Sequence, residues 1–409
     1  MKRIVLCMSF GLLALSVQDQ TVEAQQGPQL ITIGERHSLV SETLGEERAY
    51  WVQVPASYND SIYAPQSYPV LYLLDGAAHF QSASGVVQFM STGINGNIQI
   101  PEMIVVAIPN TNRTRDLTPT HSMIGFDGKE ASFLEPSGGG NAFLEFVREE
   151  LFPEIESTYR TSPYRILVGH SFGGLLALHA LLDAPAMFQS IIAIDPSLWW
   201  DDQVLVQRAE RRLTEAGDLR GSVYISLANT PVIGDSDPMV MVNAGRAFAR
   251  SLEAVATPTF RPALHYFEAE DHGSVPLLSL YHGLLHIFEG YKPSVATFVD
   301  NPSALGPHFE RISERVGLLL LPPEAFVNQM GYAMLQQLED VDKAIALFEL
   351  NVSNFPGSYN THDSLGEAYM LKDEKALAIN SYERSLELNP ANENAKERLE
   401  VLRRGGSRD

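Results

Sequence analysis

Short apolar runs alternate with amphipathic stretches along residues 50–291. Residues 50–54 alternate between apolar and polar side chains, as a half-buried strand does. Between the apolar runs, segments such as 142–159 and 173–182 have the apolar spacing of helices. The alternation predicts an α/β fold, with helices on both faces of a mainly parallel sheet. The continuous apolar runs, typical of strands buried on both faces, are residues 70–74, 103–108, 165–168, 191–194 and 223–227.

One long polar segment interrupts this pattern. Residues 120–140 are irregular and end in three consecutive glycines. A loop of this length in a compact domain is usually either a cover over a site or a disordered insert.

The last part of the chain repeats with the period of tetratricopeptide units. This period predicts an all-α, tetratricopeptide-like module over residues 323–404, with a capping helix at 391–404. We expect a connector at 292–322 with one helix near 307–316. Such repeats bind protein partners, self-associate or pack on a neighbouring domain. The residue pairs separated by 34 positions are Ala344 and Ala378, Phe348 and Tyr382, and Pro356 and Pro390.

The N-terminus has the pattern of a signal peptide. Lys2 and Arg3 precede an apolar run at residues 4–15, and residues 22–24 resemble a cleavage site. The run is too short for a comfortable membrane span, so we expect no membrane insertion. The prediction is a signal peptide at 1–24, a hydrolase-type domain at 28–291, and export to the periplasm or the extracellular space.

Composition narrows the classes of function. The 409 residues carry a net charge of −21, which disfavours binding to nucleic acid or to anionic lipid. The only cysteine, Cys7, lies within the predicted signal peptide. A mature protein without thiols excludes cysteine catalysis.

The segment 165–177 reads as a strand, then Gly-x-Ser-x-Gly, then a helix. A serine on a sharp strand-to-helix turn is exposed, and the glycines leave room for the strained backbone. The N-terminus of the following helix favours a developing oxyanion. Ser171 is therefore the candidate nucleophile, flanked by Gly169 and Gly173.

The general base of a serine hydrolase follows the serine in the chain. His265 falls within a presumed strand, and His282 and His286 lie one helical turn apart without a carboxylate cluster, a poor metal site. His272 lies in a loop between the last strand and the final helix of the domain. We expect His272 to be the base, and we expect no metal and no cofactor.

The acid should follow the strand at 223–227, where the loop offers Asp235 and Asp237. Asp237 precedes a proline and also suits a helix N-cap, whereas Asp235 also suits a solvated loop. A dyad without an acid stays open. For the oxyanion hole we expect the backbone N–H of Phe172, joined by that of Ala77 or Gly76.

These motifs resemble those of the putative-esterase family of α/β-hydrolases, which includes enterochelin-type siderophore esterases, S-formylglutathione hydrolases and feruloyl esterases. The resemblance covers about residues 50–291. It is closest to an exported bacterial branch with tetratricopeptide repeats, and it favours Asp237 as the acid. Asn229 departs from the glutamate common in siderophore esterases. The segments that carry the resemblance are 68–76, 110–119, 169–174, 195–200 and 272–274.

Within those segments, two pairs of side chains suggest a role at the site. Arg113 and Arg115 suit either an anion clamp or, beside Asp116, a salt-bridged loop, which we favour. Trp199 and Trp200 suit either a pocket wall or the core.

The resemblance and the motifs favour one function and leave two alternatives. The leading hypothesis is a serine carboxylic-ester hydrolase that forms an acyl-serine intermediate on a small-molecule ester, siderophore-type or other. The alternatives are an acyltransferase of the same fold, and a non-catalytic protein that binds a partner through the repeats.

Overall fold

The structure is a computed structural model that describes residues 30–92, 98–229, 239–294 and 299–404. The predicted signal peptide at 1–24 lies outside these ranges. Within them, no helix combines the length and the apolar character needed to cross a membrane.

One eight-stranded sheet contains all the described strands. In order across the sheet they are β1, β2, β4, β3, β5, β6, β7 and β8. β1 and β2 are antiparallel to their neighbours, and all other pairs are parallel. The carboxyl ends of β3 to β8 therefore share one edge. The strands are β1 Glu35–Ser41, β2 Glu46–Gln53, β3 Tyr68–Leu73, β4 Ile104–Ala107, β5 Thr161–His170, β6 Ser190–Ile194, β7 Gly221–Ala228 and β8 Phe260–Phe267.

Helices cover both faces of this sheet, which confirms the predicted α/β-hydrolase fold. On one face, α3 to α7 bury apolar side chains in one hydrophobic cluster. On the other face, α1 and α8 contribute to a second cluster. The helices are α1 Gly76–Ser91, α2 Arg113–Leu117, α3 Gly140–Phe146, α4 Phe152–Thr158, α5 Phe172–Asp183, α6 Trp200–Glu215, α7 Val240–Glu253 and α8 Val275–Ile287.

The described chain after residue 299 is helical. One packing contact occurs twice in it, and each copy pairs a glycine with an aromatic ring on the next helix. The two rings are 34 residues apart, the predicted period, and the two glycines are 35 apart. A Cβ at Gly331 would collide with the ring of Phe348, and one at Gly366 would lie 3.1 Å from the ring of Tyr382. The helices are α9 Leu305–Val316, α10 Glu324–Gln336, α11 Val341–Asn354, α12 Tyr359–Leu371, α13 Lys375–Leu388 and α14 Glu393–Arg404.

These C-terminal helices pack on the α/β sheet. The second cluster joins sheet residues such as Leu71 to Phe309 of α9 and Phe348 of α11. The ring of Phe309 meets that of Tyr291 edge-on, with centroids 5.3 Å apart. The two regions thus share one core, although the predicted boundaries at 291 and 322 stay predictions.

A buried carboxylate joins the two regions by hydrogen bonds. Glu324, at the start of α10, is 5% exposed. It accepts hydrogen bonds from the Ala64 N–H at 2.8 Å and the Ser358 hydroxyl at 2.6 Å, and its carbonyl accepts one from Asn351. Burial raises the pKa of Glu324.

We predict that Phe309→Ala lowers the free energy of unfolding of the whole chain by about 3–5 kcal/mol, the usual cost of removing a buried phenylalanine. Leu319→Ala is the control, since Leu319 is 78% exposed and nearby in the chain. Chemical denaturation followed by circular dichroism measures both. A loss below about 1 kcal/mol for Phe309→Ala would contradict a shared core.

Candidate active site

Ser171 lies on the strained turn between β5 and α5. Its φ of 60° and ψ of −116° are unusual for a residue with a side chain. A Cβ at Gly169 would collide with the Gly173 backbone, and one at Gly174 would lie 3.0 Å from Pro196. Backbone packing therefore requires glycine at Gly169, as the motif predicts, whereas a Cβ at Gly173 would lie 3.3 Å from the Asp75 carboxylate.

His272 reaches the same edge of the sheet from the loop after β8. Its Nδ1 lies 2.6 Å from the Oδ2 atom of Asp195, and its side chain is 34% exposed. The next turn is held by Asp271, whose carboxylate accepts hydrogen bonds from the N–H groups of Gly273 and Ser274. These two backbone donors lower the pKa of Asp271.

Asp195 follows β6, the strand next to the one that carries Ser171. It is fully buried, and its Oδ1 atom accepts a hydrogen bond of 3.0 Å from the Ala228 N–H. Its own N–H donates to the Ser226 carbonyl at 2.8 Å. The φ of Asp195 is 39°, a left-handed value that Asp tolerates better than most residues. The strand ends thus hold this carboxylate toward His272.

The two acids considered in the sequence, Asp235 and Asp237, lie outside the described residues. Sequence reasoning placed the acid after β7 and gave Asp195 no role. A signal was available, because Asp195 directly follows a buried strand and opens the segment 195–200 that carries the family resemblance.

A second serine contacts the candidate nucleophile. The hydroxyls of Ser171 and Ser197 lie 3.2 Å apart, and the Ser197 N–H donates to the Ser171 carbonyl at 3.1 Å. Ser197 is 2% exposed. It therefore fixes the turn after β5 against the turn after β6.

The candidate oxyanion donors lie at two helix N-termini beside Ser171. Phe172 begins α5, and Ala77 lies in the first turn of α1. N–H groups of a first helical turn have no partner within the helix and are free to bind an anion. The N–H of Gly76 instead donates to the Ile108 carbonyl at 3.0 Å. Of the two residues considered, Ala77 is the better placed.

Arg113 connects the loop before α1 with the strand that carries Ser171. Its guanidinium donates to Asp75 at 2.7 and 3.0 Å and to the His170 carbonyl at 3.2 Å. Asn110 donates to the same carboxylate at 2.6 Å. Burial opposes ionisation of Asp75, but Arg113 and Asn110 outweigh it and lower the pKa of Asp75.

Arg115 makes a separate salt bridge. It pairs with Asp116 at 2.7 Å and with Glu46, while Asp116 also binds the buried Arg48 at 2.6 Å. Both arginines therefore form salt bridges, as the sequence favours. Arg115 pairs with Asp116 as expected, whereas Arg113 pairs with Asp75.

The two tryptophans differ. Trp200 is fully buried and donates from its indole N–H to the Thr120 hydroxyl at 3.1 Å, so it belongs to the core. Trp199 is partly exposed, and its ring packs 5.5 Å from that of Phe126 and 6.1 Å from that of Phe172. The segment 120–140 is described throughout and brings Phe126 to this aromatic wall.

His170 lies beside His272, and His79 lies beside His170. The His170 ring centroid is 4.4 Å from that of His272 and 5.9 Å from that of His79. Burial, together with the neighbouring His272 and His79, lowers the pKa of His170 to about 4. Burial also lowers the pKa of His79. In the described parts of the chain, no three His, Cys, Asp or Glu side chains are grouped to hold a metal ion.

Comparison with known proteins relates this chain to a family of esterases. A family model described as "Putative esterase" matches residues 41–228. The ferri-bacillibactin esterase BesA of Bacillus subtilis is 27% identical over 269 residues, which cover 63% of this chain and 92% of that protein.

One solved structure extends the likeness to most of the chain. It is an IroE-like serine hydrolase from Shewanella oneidensis, with 32% identity and a TM-score of 0.70, covering 78% of this chain and 98% of its own. In addition, the tetratricopeptide repeat domain-containing protein PYG7 of Arabidopsis thaliana is 36% identical over 76 residues, 19% of this chain and 25% of that protein.

We predict that the stability of the protein falls between pH 6.5 and pH 4, partly because of His170. Its pKa is about 4 in the folded chain against an ordinary 6.5. Between these values only the unfolded chain binds the proton, so falling pH favours unfolding, by on the order of 3 kcal/mol at most from this residue.

His170→Gln should therefore flatten the pH dependence of the free energy of unfolding, measured by urea denaturation across this range. Ser82→Ala on the exposed side of α1 is the control, since serine does not titrate in this range, and it should keep the parent slope. If the free energy of unfolding of His170→Gln depended on pH as strongly as that of the parent, His170 would bind its proton equally well in the folded and the unfolded chain, and the prediction would be wrong.

Proposed function

Because the chain belongs to the putative-esterase family and is a carboxylic-ester hydrolase, we propose that it acts through an acyl-serine intermediate on Ser171. His272 is the general base in this proposal, and Asp195 orients it. The observation that carries the proposal is the 2.6 Å contact between His272 Nδ1 and the buried Asp195, at the sheet edge where Ser171 is partly exposed. This pairing fits the third group of a serine hydrolase triad.

The Asp195 contact decides which nitrogen of His272 does chemistry. When Nδ1–H donates to Asp195, Nε2 carries the free lone pair. Nε2 then takes the Ser171 proton as Oγ attacks the ester carbonyl, and passes it to the leaving alcohol. In the second half, water attacks the acyl-serine and gives a proton to His272. His272 then passes this proton to Ser171 Oγ as the bond between Oγ and the acyl carbon breaks and the carboxylic acid leaves.

The oxyanion of each tetrahedral intermediate is stabilised by the N–H groups of Phe172 and Ala77. The positive ends of α5 and α1 add to this stabilisation. Arg113 and Asp75 position these two groups, because they tie the start of α1 to the end of β5. In the free protein the Ser171 hydroxyl pairs with Ser197, and this hydrogen bond must pass to His272 when substrate binds.

Three observations support Asp195 as the acid. It is buried, it is held by the Ala228 N–H, and it contacts His272. Asp235 and Asp237 stay predictions from the sequence, and the comparison of variants below decides among the three.

We infer that the substrate is a small-molecule ester and that it carries an aromatic group. The wall formed by Phe126, Trp199 and Phe172 supports an aromatic group near Ser171. The likeness to a ferri-bacillibactin esterase makes siderophore-type esters the first to test.

We also infer export and a repeat module. The pattern of residues 1–24 supports a signal peptide, and therefore a periplasmic or extracellular enzyme. The recurring glycine–aromatic contacts support tetratricopeptide repeats within 323–404. A protein partner or self-association through these repeats stays a proposal.

Ser171→Ala should reduce hydrolysis of a p-nitrophenyl ester by a factor on the order of 10⁴ or more, with an almost unchanged thermal midpoint. A fluorophosphonate should label Ser171, as mass spectrometry of peptides would show. Ser82→Ala on the exposed side of α1 is the control and should keep full activity and labelling. More than a few per cent residual activity in Ser171→Ala would sink the assignment.

Asp195→Asn should lower kcat by a factor on the order of 10³–10⁴, because the amide no longer selects the productive tautomer of His272. Asp271→Asn is the matched control, since Asp271 is adjacent to His272 in the chain and the hydrogen-bond partners of its carboxylate among the described residues are Gly273 and Ser274. It should stay within about tenfold of the parent. Full activity in Asp195→Asn, with loss in Asp235→Asn or Asp237→Asn, would move the acid to that residue.

A further inference from the structure

A large cavity lies where the α/β sheet meets the C-terminal helices, which we call the seam cavity. Its volume is about 890 Å³, within the usual range for small-molecule sites. The α/β side contributes Tyr68, Glu102 and Ser162, and the helical side contributes residues 318–321 and Phe326.

The seam cavity is separate from the active site. Ser162 lies at the amino end of β5, whereas Ser171 follows its carboxyl end. At about 3.3 Å per residue, the two serines are separated by roughly 30 Å along the strand. A ligand in the seam cavity therefore does not contact the residues of the proposed hydrolysis.

The lining is largely apolar and carries negative charge only. Glu102 and Asp60 are its ionisable acids, and none of its described residues is Lys, Arg or His. The described partner of the Glu102 carboxylate is Ser57, through its hydroxyl and its N–H. Burial and the Asp60 charge act against ionisation of Glu102 and raise its pKa, although Ser57 opposes this.

Arg160 is a basic residue close to this side of the seam cavity, and its guanidinium already has partners. The guanidinium of Arg160 stacks on the ring of Tyr58 at 3.9 Å and donates to the Gln66 carbonyl at 3.2 Å. In the described part of the chain, neither Glu102 nor Asp60 forms a salt bridge. Among the residues that the structure describes, the cavity therefore combines apolar walls with a half-buried carboxylate that has no cationic partner.

We propose that the seam cavity binds an organic cation, an amine on an apolar body, with its ammonium group on Glu102. The ammonium supplies the charge that the walls lack, and the apolar body fills the space against residues 318–321 and Phe326. A neutral molecule of the same shape would leave the Glu102 carboxylate without a counterion, and an anion would be repelled by two acids.

The test is isothermal titration calorimetry of the full chain with phenylhexylamine, phenylhexanol and phenylhexanoate. The amine should bind at least tenfold more tightly than the alcohol, and the carboxylate should give no measurable binding. Glu102→Gln should weaken amine binding by about tenfold or more, toward the affinity of the alcohol. Glu314→Gln, an exposed site on α9, is the matched control and should bind as the parent does.

A second variant tests the location independently of Glu102. Ala325→Trp places a large ring at the rim of the seam cavity and should weaken binding of both the amine and the alcohol. Ester hydrolysis by this variant should be unchanged. Equal affinity for amine and alcohol, or unchanged amine binding in Glu102→Gln or Ala325→Trp, would overturn the proposal, as would no binding of the amine.

Discussion

The close contact between the turns after β5 and β6 is the constraint on which the site depends. The N–H of Ser171 donates to the Ile194 carbonyl at 2.9 Å, and the Ser197 N–H returns a hydrogen bond to Ser171. Only glycine fits at Gly169, because the turn folds back on its own helix. This contact places the serine of one strand beside the aspartate of the next, so that a histidine from β8 meets both turns.

The same edge of the sheet explains why distant segments cooperate. Asp75, Ser171, Asp195 and His272 each follow the carboxyl end of a strand, and parallel strands bring those ends together. Arg113 then links two of these segments, because it donates hydrogen bonds both to the Asp75 carboxylate and to the His170 carbonyl at the end of β5. Removing a partner from a buried, hydrogen-bonded carboxylate is costly, so these contacts stabilise the arrangement of the loops around Ser171.

The sequence predicted the features that depend on local pattern. Apolar runs predicted the strands, and Gly-x-Ser-x-Gly between a strand and a helix predicted the turn at Ser171. Local pattern marks Asp195 as a residue that directly follows a buried strand, but it does not select Asp195 over Asp235 or Asp237, because the contact with His272 depends on which strands are neighbours in the sheet. The sequence favours Asp237 because it follows β7 in the chain, where the acid is expected. Asp195 follows a different strand, and its carboxylate is the one that contacts His272 in the folded protein. The seam cavity likewise depends on packing between segments far apart in sequence.

The hydrogen bond from Ala64 to Glu324 spans 260 positions of the chain. During synthesis, the α/β segment leaves the ribosome well before the helices that cover part of its core. Tyr291 and its apolar neighbours then face solvent until α9 to α11 have been made. Contacts of such long sequence separation slow folding and leave apolar surface open to aggregation. A chain that stopped before residue 324 would lack α10 and α11 and would leave this apolar surface uncovered.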